Sequence, residues 1–123
     1  MNPQDLQELK NILELEHDKI VAELRSIASP NAQVKGEWDV RFPAFELEGG
    51  SSHDEKEESA DEVEEYELRI AADQSLESRL LEVNKALARI KDNTYGTCKK
   101  CHKELGLDRL RANPAAENHV EHV

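Results

Sequence analysis

Two cysteines and two histidines are the strongest candidates for chemistry in this sequence. They form two pairs with the same internal spacing, Cys98-x-x-Cys101 and His119-x-x-His122. Thiolate and imidazole are ligands of tetrahedral zinc, and two such pairs separated by a compact segment can close around one ion. The spacing therefore predicts a structural Zn²⁺ that also orders a segment too small to fold by itself.

Two other interpretations of these residues remain open. Cys98 and Cys101 could form a redox-active dithiol, because neighbouring lysines favour a thiolate, although no βαβ pattern surrounds them. His119 and His122 could instead be solvent-exposed residues of a frayed tail. The other histidines are expected to be bystanders or, for His53, part of an exposed tip; they are His17, His53 and His102.

Composition limits the classes of protein to consider. A net charge of −11 over 123 residues suits long solvated helices and argues against direct, sequence-specific nucleic-acid binding. The sequence contains no signal-like segment and no stretch apolar enough to cross a membrane, so we expect a cytoplasmic protein without a membrane partner. No nucleophile is paired with a base, and a closed metal site has no open position, so we expect no enzymatic activity.

Near-heptad apolar spacing predicts a first helix over about residues 3–28. Asn2 is a good N-cap and Pro3 suits the first helical position, while Pro30 favours an end just before it. Glu16 interrupts the apolar stripe. The stripe residues are Leu6, Leu9, Leu13, Ile20, Leu24 and Ile27.

A second helix is predicted over about residues 60–92. Ser59 and Glu62 have the spacing of a capping box at its start. Its apolar positions alternate by four and three; they are Leu76, Leu80, Val83, Leu87 and Ile90. Two such helices are expected to pack as an antiparallel helical hairpin, a coiled coil of the all-α class occupying residues 1–92. Residues 93–123 would form the zinc-finger module.

The linker and tip between the helices, residues 29–59, are predicted to be irregular. The first part carries Trp38, Phe42 and Phe45 and is expected to be extended, and the second part is a glycine- and serine-rich, acidic tip. In the C-terminal module, Asn113-Pro114 predicts the start of a short final helix that places both metal-binding histidines on one face.

A run of positions around the cysteines follows one pattern, in which a long helix precedes Y/F-G-x-C-x-x-C-G and R-L-x-A-x-P-x-A. The matching residues are Tyr95, Gly96, Cys98, Cys101, Arg109, Leu110, Ala112, Pro114 and Ala116. Over the C-terminal half, the sequence resembles the DksA/TraR family of bacterial zinc-finger transcription regulators. It departs from the family where His119 and His122 replace a second cysteine pair and where His102 replaces a glycine.

The resemblance implies a transcription regulator whose coiled coil enters the secondary channel of RNA polymerase. Members of the family carry acidic residues at the coil tip, in the pattern D-x-x-D-x-A. Counting back from Cys98 places Glu55, Glu58 and Ala60 at those positions, so they are the implied polymerase-contact tip. The alarmone response of some members is not carried over, because Asn113 stands where the family often has arginine.

An alternative function uses the same fold without polymerase. A zinc-stapled helical hairpin could serve as an adaptor or a self-associating module. The segment containing Trp38, Phe42 and Phe45 would then be its contact surface.

Overall fold

The computed structural model describes the backbone of residues 1–42 and 55–122 and the side chains of residues 1–42 and 60–122. The elements, in chain order, are helix α1 (Pro3–Ile27), strand β1 (Ala28–Pro30), strand β2 (Trp38–Val40), helix α2 (Glu55–Lys91), helix α3 (Leu107–Ala112) and a 3-10 turn (Val120–His122). Two long helices dominate the described chain, so the predicted helical hairpin with a C-terminal Cys/His module is confirmed.

Helix α1 follows its sequence signals closely. The side-chain Oδ1 of Asn2 accepts a hydrogen bond of 2.8 Å from the backbone N–H of Gln4, as expected of an N-cap. The helix ends at Ile27, shortly before Pro30. The predicted apolar stripe faces inward. Its fully or almost fully buried members are Leu9, Leu13, Ile20 and Leu24.

Helix α2 begins earlier than predicted. It starts at Glu55 rather than near residue 60, so Ser59 lies inside the helix and does not cap it. Residues 55–59, with the sequence EKEES, are mostly good helix formers, and acidic residues in the first turn of a helix interact favourably with the positive end of its dipole. The helix ends at Lys91, and Val83 on its predicted apolar face is fully buried.

The linker contains a short antiparallel β-hairpin that periodicity did not predict. Strand β1 pairs with β2 so that Ala28 lies opposite Val40 and Pro30 lies opposite Trp38. Each strand has three residues, too few to show an alternating pattern. Phe42 packs on Tyr66 of α2 with ring centroids 5.1 Å apart. Phe45 lies outside the described residues.

The predicted helix opening at Asn113-Pro114 is wrong. Helix α3 instead covers the preceding R-L-x-A motif and ends at Ala112. The next residue, Asn113, is extended, with a φ of −147° and a ψ of 95°. A residue that precedes proline avoids helical dihedrals, so Pro114 stops one helix and does not start another. The histidines follow on an irregular segment that ends in the 3-10 turn.

The chain divides into two compact units. The first contains Met1–Val21 and Arg79–Val123, and the second contains Ala22–Ser78. In the first unit, one buried cluster joins Leu9 of α1 to the cysteine region; its other members are Cys98, Leu105, Leu110 and Ala116. Among the helices described, none is both long enough and apolar enough to cross a bilayer. The boundary near residue 92 between a hairpin and a zinc-finger domain stays a prediction.

Candidate metal centre

The cysteines lie on a tight backbone loop after α2. Gly96 has a φ of 88°, a left-handed conformation that glycine adopts without steric cost. The N–H of Cys98 donates to the carbonyl of Lys103 at 2.9 Å, and the N–H of His102 donates to the carbonyl of Cys98 at 2.9 Å. His102 has a φ of 61°, which gives a physical reason for the glycine that the family pattern has there.

The histidines are carried by residues 113–122, which we call the strap. The strap is tied down near its start, where the Tyr95 hydroxyl donates to the carbonyl of Pro114 at 2.6 Å. Further along, the N–H of Lys99 donates to the carbonyl of Glu117 at 3.0 Å. These bonds bring the strap beside the cysteine loop.

The four predicted ligands converge. One ligand atom from each of the two cysteines and two histidines lies within 4.8 Å of the other three. The Sγ of Cys98 is 3.5 Å from Nδ1 of His122, and the Sγ of Cys101 is 3.4 Å from Nδ1 of His119. With Zn–S of about 2.3 Å and Zn–N of about 2.05 Å, a tetrahedral ion holds sulfur and nitrogen about 3.6 Å apart. The donor set and spacing therefore fit one zinc ion bound through the two sulfurs and the two Nδ1 atoms.

The cysteine loop favours a thiolate at Cys98. Burial would raise the pKa of this thiol, but hydrogen bonds from His122 and from the backbone near Cys101, His119 and Lys100 lower it to about 5. A metal ion binds the thiolate form, so the loop stabilises Cys98 in the state that binds metal. Both cysteines are free, which leaves the dithiol interpretation to be tested directly.

Two groups beside the ligands were not anticipated from the sequence. Nε2 of His119 lies 3.2 Å from the backbone carbonyl of Glu104. An Nε2–H donated there leaves the Nδ1 lone pair directed at the Cys101 side, an arrangement typical of metal-binding histidines. The side-chain Oδ1 of Asn118 lies 3.8 Å from the Sγ of Cys98. A backbone carbonyl leaves no signal in a sequence, and a single asparagine leaves only a weak one.

A cationic side chain of α2 also holds the strap. Arg89 donates to the carboxylate of Glu117 at 3.1 Å and to the carbonyls of Ala115 and Ala116 at 3.3 and 3.4 Å. Lys99 donates to the same Glu117 oxygen at 3.2 Å. Burial would raise the pKa of Glu117, but the hydrogen bond and charge of Lys99 and the charge of Arg89 lower it overall. No motif in the sequence singles out Arg89 for this role.

The other candidate residues are less fully described. Ala60 of the predicted tip is exposed on α2. Glu55 and Glu58 lie in the first turn of α2, and the structure describes their backbone but not their side chains. His17 is held by a 3.1 Å contact with Asp18 and is not among the four clustered ligands. His53 also lies outside the described residues.

The chain is similar in sequence and in fold to known transcription factors. No family model matches the chain. It is 26% identical over 111 residues to the RNA polymerase-binding transcription factor DksA of Salmonella typhimurium, a match covering 90% of this chain and 70% of that protein. It is 27% identical over 85 residues to DksA of Escherichia coli, covering 69% of this chain and 56% of that protein. These matches support the predicted resemblance to the DksA/TraR family.

Two further likenesses agree with this resemblance. The General stress protein 16O of Bacillus subtilis is 50% identical over 42 residues, which is 34% of this chain and 26% of that protein. Transcription factor DksA2 from Pseudomonas aeruginosa superposes with a TM-score of 0.68 over 99% of this chain and 82% of that chain, at 20% identity. The structural likeness shows a shared fold.

Proposed function

We propose that this chain is a non-enzymatic transcription regulator that binds RNA polymerase. The observation that carries the proposal is the match to DksA over 111 residues, 90% of the chain. The relatives matched over 90% and 69% of the chain are named as RNA polymerase-binding transcription factors. In this proposal the coil tip contacts the secondary channel of the polymerase.

The proposed tip consists of Glu55, Glu58 and Ala60. Carboxylates at the end of a hairpin can reach basic surfaces or a bound magnesium ion by electrostatic attraction. Glutamate keeps the charge of the family aspartate and extends it by one methylene group. We propose that the two glutamates act on transcription initiation while Ala60, which is exposed, leaves room for close approach.

The test combines purified polymerase with tip variants. We expect the chain to co-purify with core polymerase and to alter initiation in a reconstituted reaction. Replacing Glu55 and Glu58 with alanine should abolish the effect on initiation, whereas replacing Glu14 and Glu23, exposed on α1, should preserve it. No recovery with polymerase, or equal loss in both double variants, would contradict the proposal.

We further propose a structural Zn²⁺ held by Cys98, Cys101, His119 and His122. The sulfur–nitrogen separations of 3.4 and 3.5 Å support this ligand set. When bound, the ion supplies folding free energy by joining the loop to the strap. Elemental analysis of untagged protein should find one zinc per chain, and Cys98→Ser should lose it. Metal-free protein whose two thiols convert reversibly to a disulfide would favour the dithiol sensor instead.

The alternative function is an adaptor or self-associating module that does not act on polymerase. Phe42 is half exposed beside Tyr66, so the aromatic linker offers apolar surface for another protein or a second copy. A stable dimer in sizing chromatography that is lost in Phe42→Ser, together with no polymerase binding, would support the adaptor alternative.

A further inference from the structure

A pair of carboxyl groups in the second unit plays no part in the proposed function. Asp73 and Glu77 are four residues apart on α2, so their side chains share one face of the helix. Asp73 is only 5% exposed, and its Oδ1 has no hydrogen-bond partner among the described residues. Burying a charged oxygen without a partner is unfavourable, so the environment of this pair requires an explanation.

The groups that act most strongly on Glu77 favour its protonated form. Burial, a hydrogen bond with Asp73 and the negative charges of Asp73 and Glu37 raise the pKa of Glu77 to about 7. The backbone N–H of Trp38, in β2, donates to Glu77 and acts in the opposite direction. Glu77 therefore touches both the buried carboxylate on its own helix and the second strand of the β-hairpin.

The arginine side chains with bonds described in this unit are engaged elsewhere. Arg41, which follows β2, donates to the carbonyls of Ala28 and Arg25 at 2.7 and 2.6 Å. Arg69 on α2 donates to Glu65 at 3.3 Å. Arg25 and Lys35, the other cationic side chains described in this unit, are exposed to solvent. A proton held between the two carboxyl groups is then the simplest source of charge compensation.

We propose that Asp73 and Glu77 form a shared-proton latch that holds the β-hairpin on α2. In the latched state, Glu77 donates its O–H to Asp73 and accepts the N–H of Trp38. When Glu77 releases its proton to solvent, the O–H donor is gone and two carboxylates face each other beside Glu37. The hairpin then loosens from the helix as the pH rises.

Trp38 is a built-in probe, because it is the one tryptophan of the chain and lies in the strand that the latch holds. The full-length, zinc-saturated protein is scanned from about pH 5 to about pH 9 by tryptophan emission and acrylamide quenching. We expect one transition near neutral pH, with Trp38 more accessible to quencher on the alkaline side.

Two matched variants separate the latch from general charge effects. In Glu77→Gln, the amide can donate to Asp73 and accept from Trp38 at every pH, so the transition should disappear and the low-pH spectrum should persist. Glu67→Gln removes the same charge from an exposed position on α2 and should keep the wild-type transition. A transition unchanged in Glu77→Gln, or none in the wild type, would overturn the latch.

A direct titration avoids any question of how a variant folds. Carbon-13 NMR of the side-chain carboxyl of Glu77 in the wild-type protein should give a midpoint well above the ordinary 4.5. A midpoint near 4.5 would refute a shared proton. Zinc release is followed in the same scan with a chromophoric chelator, and fluorescence that changes only with zinc release would also refute the latch. Neither result depends on polymerase binding.

Discussion

Replacing Arg89 with methionine should destabilise the first unit by about 2 to 3 kcal/mol. The Arg89 side chain is 12% exposed and its partner Glu117 is 32% exposed, so the pair is partly shielded from water. Methionine preserves much of the apolar stem but removes the donors to Glu117 and to the carbonyls of Ala115 and Ala116. Breaking a fully buried ion pair costs about 3 to 5 kcal/mol. The loss expected for Arg89→Met is smaller, about 2 to 3 kcal/mol, because this pair is only partly buried and Lys99 still neutralises Glu117.

The assay is urea unfolding followed by circular dichroism at one fixed concentration of free zinc. Arg111→Met is the matched control, because Arg111 is 51% exposed and lies 3.8 Å from Asp5 and 3.6 Å from Glu8. Exposed pairs of this kind contribute about 0 to 1 kcal/mol. Equal losses in Arg89→Met and Arg111→Met, or a loss below about 0.5 kcal/mol for Arg89→Met, would refute the role assigned to the strap contacts.

Three smaller perturbations test other parts of the structure. The pKa of Glu77 is higher in the folded state, so its contribution to stability is lost as the pH rises from 4.5 to about 7. Over this range, the unfolding free energy of the wild type in urea should fall by about 1 to 2 kcal/mol relative to that of Glu77→Gln, a figure reduced for the partial exposure of Glu77. Tyr95→Phe removes the hydroxyl bonded to Pro114 and should lower the unfolding free energy by about 1 kcal/mol. Gly96→Ala should cost about 1 to 2 kcal/mol in thermal unfolding, chiefly through its φ of 88°. The new Cβ would lie 2.9 Å from the movable Cε of Met1 and at an ordinary contact distance of 3.9 Å from Cδ1 of Leu110.

The long helices and the ligand set were accessible from the sequence because their signals are local or repeated. The Asn2 cap and the stripe through Leu9 and Leu13 depend on short spacings along one helix. The pairs at Cys98 and His119 are equally compact in sequence. Their convergence was expected from the chemistry of zinc, which requires four ligands around one point.

The missed features depend on contacts between distant parts of the chain. The pairing of Ala28 with Val40 involves strands too short for a period. To predict the end of α3 at Ala112, one must choose between two roles of Pro114, as a helix stop or as a helix start. The bond from His119 to the Glu104 carbonyl involves a backbone group that every residue possesses. Tertiary structure decides each of these cases.

The polar layer at Glu16 has a consequence for how the helices recognise each other. Arg79 of α2 donates both Nε and Nη2 to the Glu16 carboxylate of α1, and its Nη1 donates to the Oδ1 of Asn113 at 3.0 Å. An apolar stripe alone tolerates sliding by one heptad, because one leucine packs much like the next. A bidentate ion pair between one arginine and one carboxylate can form at only one axial offset of the two helices. Glu16 and Arg79 thus encode the axial register of the helix pair, and the bond to Asn113 extends that register to the start of the strap.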